Sequence, residues 1–108
     1  MSDFILSNME TVPGRNIVVW KGLVQGNTVR AKHVGRDLMA GLKNIVGGEL
    51  KGYTELLEDA RKEATDRMIA DAQSKGANAI VNVRFSTSAI TAGASELYVY
   101  GTGVVISA

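Results

Sequence analysis

The sequence predicts an α+β domain in which one long helix lies across a small sheet, and three observations carry that expectation. Over residues 53–75 the apolar side chains Tyr53, Leu56, Leu57, Ala60, Ala64, Met68 and Ala72 recur every third or fourth position, which gathers them on one face of a helix. Immediately afterwards, over residues 78–87, the period drops to two. Ala79, Val81, Val83 and Phe85 fall on one side and Asn82, Arg84 and Ser86 on the other, as in a strand with one packed and one largely polar face. Finally, three of the helix positions, 60, 64 and 72, are alanines, so the helix backbone can sit close to whatever it covers.

The chain opens with a short strand over residues 4–9, broken by Thr11-Val12-Pro13-Gly14, where the only proline is followed by glycine. A longer strand follows over residues 16–30. There Ile17, Val19 and Leu23 point one way and Val18, Trp20 and Val24 the other, so both faces are apolar. A half-buried antiparallel strand alternates apolar with polar, so this one needs cover on two sides. Gly22 and Gly26 within it are read as marking a bulge or a close backbone approach, the bulge being preferred, rather than a glycine-rich ligand loop. Residues 36–46 bring Leu38, Met39, Leu42, Ile45 and Val46 together as a second, shorter helix. Gly41 inside it costs about 1 kcal/mol against alanine, and Gly47-Gly48 ends it.

For the long helix, Gly52 is placed as N-cap with Glu55 at N3, and Gly76 supplies the left-handed residue that terminates it. Glu58 with Lys62, Glu63 with Arg67 and Asp71 with Lys75 put acid before base four residues apart and mark the wet side. Residues 86–94, rich in Ser, Thr, Ala and Gly, are read as the loop of a hairpin. The last strand, over residues 95–107, puts Leu97, Val99, Gly101, Gly103 and Val105 on one face. Two glycines together suggest that the alanine-lined helix comes close there. Its other face carries Glu96, Tyr98, Tyr100, Thr102, Val104 and Ile106, too apolar at the end to be wholly exposed.

With 108 residues the chain makes a single domain, 1–108, and a modest core. It has no cysteine, which removes disulfides, thiolate metal sites and cysteine nucleophiles and is compatible with a cytoplasmic location. The N-terminus has no basic, apolar leader, and no run approaches the roughly 20 apolar residues of a membrane span, so no membrane partner is expected. Twelve Lys and Arg against eleven Asp and Glu leave a net charge of +1 without a basic run, so no nucleic-acid partner is expected either.

Few residues have the makings of a site. His33 is the only histidine, and Asp37 lies four residues on; two such ligands are too few for a structural zinc site within one subunit, and a surface histidine is the preferred reading. The helix carboxylates Glu55, Glu58, Asp59, Glu63, Asp66 and Asp71 alternate with Arg61, Lys62, Arg67 and Lys75 and read as a solvated face. Gly101-Thr102-Gly103 resembles part of a dinucleotide fingerprint, but no helix follows it. Ser86, Thr87, Ser88, Thr91 and Ser95 have no adjacent base, and Arg15, Arg36 and Asp37 flank turns as structural or interfacial groups. No catalytic residue, no metal ligand and no cofactor is assigned. An enzyme built on Glu96, Tyr98 and Tyr100 is the weakest reading, because no nucleophile stands beside an orienting base.

Taken in order, Thr11-Val12-Pro13, Gly14-Arg15-x-Ile17, Arg36-Asp37, Gly47-Gly48, Tyr53, Ala60-Arg61, Met68, Gly76-Ala-Asn-Ala-Ile-Val81 and Tyr100-Gly-Thr-Gly-Val104 resemble the bacterial YbjQ family, also called uncharacterised protein family 0145. The likeness spans nearly the whole chain. It implies a two-layer β-α-β-β core similar to dodecin subunits, with sheet order 1-3-2, plus the short N-terminal strand and the short extra helix. It also implies assembly as a homopentamer, so the chain's main expected partner is itself. The family's heavy-metal-binding label implies metal or small-ligand binding at subunit interfaces as an alternative role, but with one histidine and no thiol no metal residue is carried over. No enzymatic activity is implied.

Overall fold

The structure, a computed structural model, describes residues 4–30, 45–46, 49–91 and 94–107. Its elements are β1 (Ile5–Leu6), β2 (Ile17–Arg30), β3 (Ile45–Val46), β4 (Glu49–Leu50), α1 (Lys51–Ser74), β5 (Ala79–Thr91) and β6 (Ala94–Ile106). The main sheet is mixed and four-stranded, in the order β1-β5-β6-β2; β1 runs parallel to β5, and the other pairs are antiparallel. Leaving β1 aside, the strands before and after α1 therefore stand in the order 1-3-2. The expected α+β architecture is present, with the glycine-bearing last strand inside the sheet and β2 at one edge.

The helix seats itself through small residues. Ala60, Ala64, Met68 and Ala72, spaced by four, are buried along one row of α1. Opposite them, β2 presents Val24, Gly26 and Thr28, also buried. At Gly26 the fit is backbone against backbone: a β-carbon there would overlap the carbonyl oxygen of Ala64 and the amide nitrogen of Met68. Thus the close approach expected at Gly101 and Gly103 occurs at Gly26 instead. Gly101 and Gly103 are tight against the side chains of Ile80, Val24 and Ala77 rather than against the helix, because α1 lies over the edge strand and not over the centre of the sheet. Gly22 is the bulge: the β2–β6 register shifts between Trp20 and Gly22, and Gly22 has φ +89°. Gly76, at φ +84°, ends the helix as expected.

Two small cores result. On the helix side Val24, Ala64, Met68, Ala72, Ala77, Ile80 and Val99 pack together, flanked by Phe4, Ile69 and Val83. Across the sheet Ala79, Val81, Val104 and Ile106 are covered by Val12, with Ile5 and Ile17 at the margin. Ala79, Ile80 and Val81 are all buried, so β5 begins with two packed faces. The expected alignment of Ala79, Val81, Val83 and Phe85 fails at Asn82. Its φ of 55° and the register shift between Val81 and Arg84 mark a bulge that moves Val83 to the side of Ile80. That bulge also lets the N-terminal segment continue beside β5, with Asn82 N donating to Met9 O and Val83 N to Ser7 O, at 2.9 and 3.0 Å.

Other expectations shift. Most of the expected loop is strand: β5 runs on to Thr91, and Ser86, Thr87, Ser88 and Ala89 pair with Tyr98, Leu97, Glu96 and Ser95, because polar β-compatible residues suit a strand whose own side chains are exposed. Helix α1 starts at Lys51, one residue before the proposed Gly52 cap, since β4 runs straight into it. Ile45 and Val46, placed in a second helix, instead form β3, a two-residue strand paired with β4. The remainder of that expected helix, residues 36–44, lies outside the described residues, as do His33, Gly47 and Gly48. Leu57, assigned to the packed helix face, is 46% exposed, because it borders an opening between α1 and the β5–β6 hairpin.

Candidate functional site

The surface most unlike that of a self-sufficient monomer lies along β2. Val18, Trp20, Leu23 and Val29 are 60, 61, 57 and 51% exposed, and Val19 is also exposed. Two register shifts, between Ile17 and Val19 and between Trp20 and Gly22, break the alternation that would otherwise bury every second residue. Past the second shift, Val24, Gly26 and Thr28 face the helix, while Leu23, Gln25, Asn27 and Val29 face away. Apolar residues do stand on both faces of β2, but not in the expected sets: the two shifts put Trp20 with Leu23 on the side away from the helix and Val24 on the helix side, and the Trp20–Leu23 side has no cover among the described residues.

The middle of this edge strand is closed by the helix. Arg67 Nη1 donates to Asn27 O at 2.7 Å, Gln25 N donates to Asp71 Oδ2 at 3.0 Å, and Lys75 Nζ donates to Leu23 O at 2.9 Å. In an antiparallel pair alternate residues turn their backbone groups away from the partner strand, and here 23, 25 and 27 are those residues. Side chains four apart on α1 thus satisfy, one after another, main-chain groups that would otherwise invite another strand. Sequence reasoning read 67, 71 and 75 only as members of helix ion pairs. Two of those pairs exist, Arg67–Glu63 at 3.4 Å and Lys75–Asp71 at 3.4 Å, while Lys62 pairs with Asp66 instead of Glu58. Nothing local in the sequence signals the reach to β2, because it depends on where the helix lands.

At the opposite edge a groove of about 560 Å³ runs between α1 and the start of the sheet, lined by Leu6, Asn8, Thr65, Val83, Arg84 and Phe85 among others. Arg84 Nη1 donates to Asn8 O at 2.8 Å and to Val83 O at 3.0 Å, so its guanidinium braces the wall. Phe85, 49% exposed, and Leu6 supply the apolar lining. A second cavity, of about 410 Å³, opens between the first half of α1 and the β5–β6 hairpin, where Leu56, Leu57 and Ala60 face Thr87 and Leu97.

The remaining candidates are dispersed. Glu96, Tyr98 and Tyr100 share the face turned away from the helix: the tyrosine rings stack at 5.2 Å, Tyr98 Oη donates to Gln25 Oε1 at 2.5 Å, and Glu96 Oε2 accepts from Asn27 Nδ2 at 3.0 Å. Each group is engaged in the sheet, and neither tyrosine lines a cavity described above. Arg15 belongs to the Val12–Arg15 turn and donates to Ser107 O at 3.2 Å, a structural tie as expected. Gly101 and Gly103 are buried inside the sheet, between β2 and β5. Asp37 and Arg36 lie outside the described residues with His33. Among the described residues no three His, Asp or Glu side chains converge as metal ligands, and no helix is long and apolar enough to cross a membrane.

A family model described as "Putative heavy-metal-binding" matches residues 4–107. The chain belongs to the YbjQ family. It is similar to proteins named UPF0145 from Hahella chejuensis, 67% identical over 102 residues that cover 94% of this chain and 98% of the relative, and from Archaeoglobus fulgidus, 60% identical with 94% of each covered. A third, from Acinetobacter baylyi, is 66% identical over 95 residues, 88% of each. Among solved structures, this YbjQ-family fold resembles a protein of unknown function of the DUF74 family from Pediococcus pentosaceus, with a TM-score of 0.61 at 13% identity over 96% of this chain and 98% of the other. At that identity the likeness bears on the fold alone.

Proposed function

We propose that this YbjQ-family protein is a non-enzymatic, cytoplasmic homo-oligomer, a ring of five dodecin-like subunits, whose interfaces are its functional surfaces. The observation that carries the assembly is the apolar side of β2 that no other described residue covers, with Trp20 at 61% exposure. Area supports it. The single chain exposes 6870 Å², against about 5,800 Å² for a compact monomer of its mass, an excess of roughly 1,000 Å². A standard interface takes about 800 Å² from each partner. The subunit number rests on the family resemblance. A chain without cysteine is compatible with the cytoplasm, and the engagement of Glu96 and Tyr98 in the sheet supports a role without catalysis.

Native mass spectrometry of the purified protein at micromolar concentration is expected to give a five-subunit mass; a monomer would overturn the reading. The family's heavy-metal description supports a second role, metal or small-ligand binding between subunits, and the same spectrum tests it through any retained mass. Equilibrium dialysis against zinc, copper and nickel, with wild type and His33→Ala, assigns His33: indistinguishable curves exclude it.

A further inference from the structure

We infer that the assembly is head-to-tail: the Val18–Trp20–Leu23 corner of β2 in one copy docks into the groove between α1, β1 and β5 of the next. This rests on the oligomeric reading above and specifies its interface. The two surfaces are unlike and sit at opposite edges of one sheet, β2 at one end of the strand order and β1 beside β5 at the other. They also sit on opposite faces. Trp20 and Leu23 pair with Val104 and Thr102, on the side away from the helix, whereas Thr65, Val83 and Phe85 line the groove on the helix side.

Self-pairing of β2 across a two-fold axis is the obvious competitor for an exposed edge strand, but Arg67, Asp71 and Lys75 already occupy the outward main-chain groups of Asn27, Gln25 and Leu23. Joining β2 to the groove instead uses both exposed apolar sets with one contact, and the joined pair retains one free corner and one free groove for further copies. Repetition of such a contact closes into a ring when the rotation allows. The groove's volume of about 560 Å³ leaves room for an indole ring, aromatic side chains are the usual anchors of such contacts, and Trp20 is the chain's only tryptophan.

The test uses two full-length variants, Trp20→Glu and Phe85→Glu, each checked for folding by circular dichroism and thermal melting. Both positions are about half exposed or more, so the fold should survive; Trp20→Ser and Phe85→Ser serve if it does not. Sedimentation should find each variant monomeric where the wild type is assembled. An equimolar mixture should give a dimer and nothing larger, because one variant keeps an intact groove and the other an intact corner. The inference is overturned if Phe85→Glu alone assembles like the wild type, or if the folded variants stay monomeric on mixing. A monomeric wild type overturns the oligomeric reading itself and this interface with it.

Discussion

Gly26 shows how one hydrogen atom in place of a methyl group sets the distance between two layers. A β-carbon at this position would overlap the main chain at Ala64 and Met68, and a main chain cannot rotate aside as a side chain can. Gly26→Ala should therefore cost about 3 kcal/mol or more, at the upper end of overpacking penalties, and urea denaturation should show it as a lowered midpoint. Gly22 provides the contrast. Its φ is +89° and a methyl group there would meet nothing within 4 Å, so Gly22→Ala pays only for the left-handed backbone, about 1–2 kcal/mol. If the two substitutions cost the same, the account of Gly26 as a contact point fails. Asn78 also has a defined role. Its side chain donates to Ile106 O at 3.1 Å and accepts from Ile106 N at 2.8 Å, continuing the β6 ladder past the end of its partner strand.

At the scale of elements, α1 both covers and guards the sheet. Its alanine row makes the layer contact, and Arg67, Asp71 and Lys75 on its flank reach the main chain of β2. Asp71→Ala should remove the acceptor of Gln25 N and the partner of Lys75, with a modest loss of about 1 kcal/mol because the groups are partly exposed. The sharper readout is local. Hydrogen exchange at the Gln25 amide should accelerate relative to neighbouring β2 amides that bond to β6, and unchanged protection there would mean that the edge is not held by Asp71. The helix, its glycine stop, the following strand and the final strand were legible because period and punctuation are local properties of the chain. The arms of the β5–β6 hairpin were not, because Ser86 to Ala89 carry no hydrophobic alternation and become strand by pairing with Leu97 and its neighbours.

For the whole molecule the deciding quantities are area and shape. The radius of gyration is 16.7 Å, against about 13 Å for a compact domain of this length, and the extents are 51 × 29 × 21 Å. An elongated subunit with an apolar edge gains by burying that edge against a neighbour. Because Trp20 is the only tryptophan and is 61% exposed in the single chain, its fluorescence reports the event directly. Emission should be blue-shifted in the concentrated protein and move to the red on dilution as subunits separate. A wavelength independent of concentration and characteristic of exposed indole would argue against β2 as an interface. Since apolar contacts are not screened by salt, about 1 M salt should not dissociate the assembly.

The sequence by itself determined the class of fold, the long helix and its glycine stop, the presence of strands on both sides of it, and the anomaly of a strand with two apolar faces. These follow from periodicity, glycine and composition, which act within a few residues. Only the tertiary structure decided which glycine the helix touches, where Asn82 reverses the facing of β5, and that Arg67, Asp71 and Lys75 close the edge of β2. Each of those depends on where α1 and the bulges place groups that are distant in sequence, a separation over which no local pattern carries information.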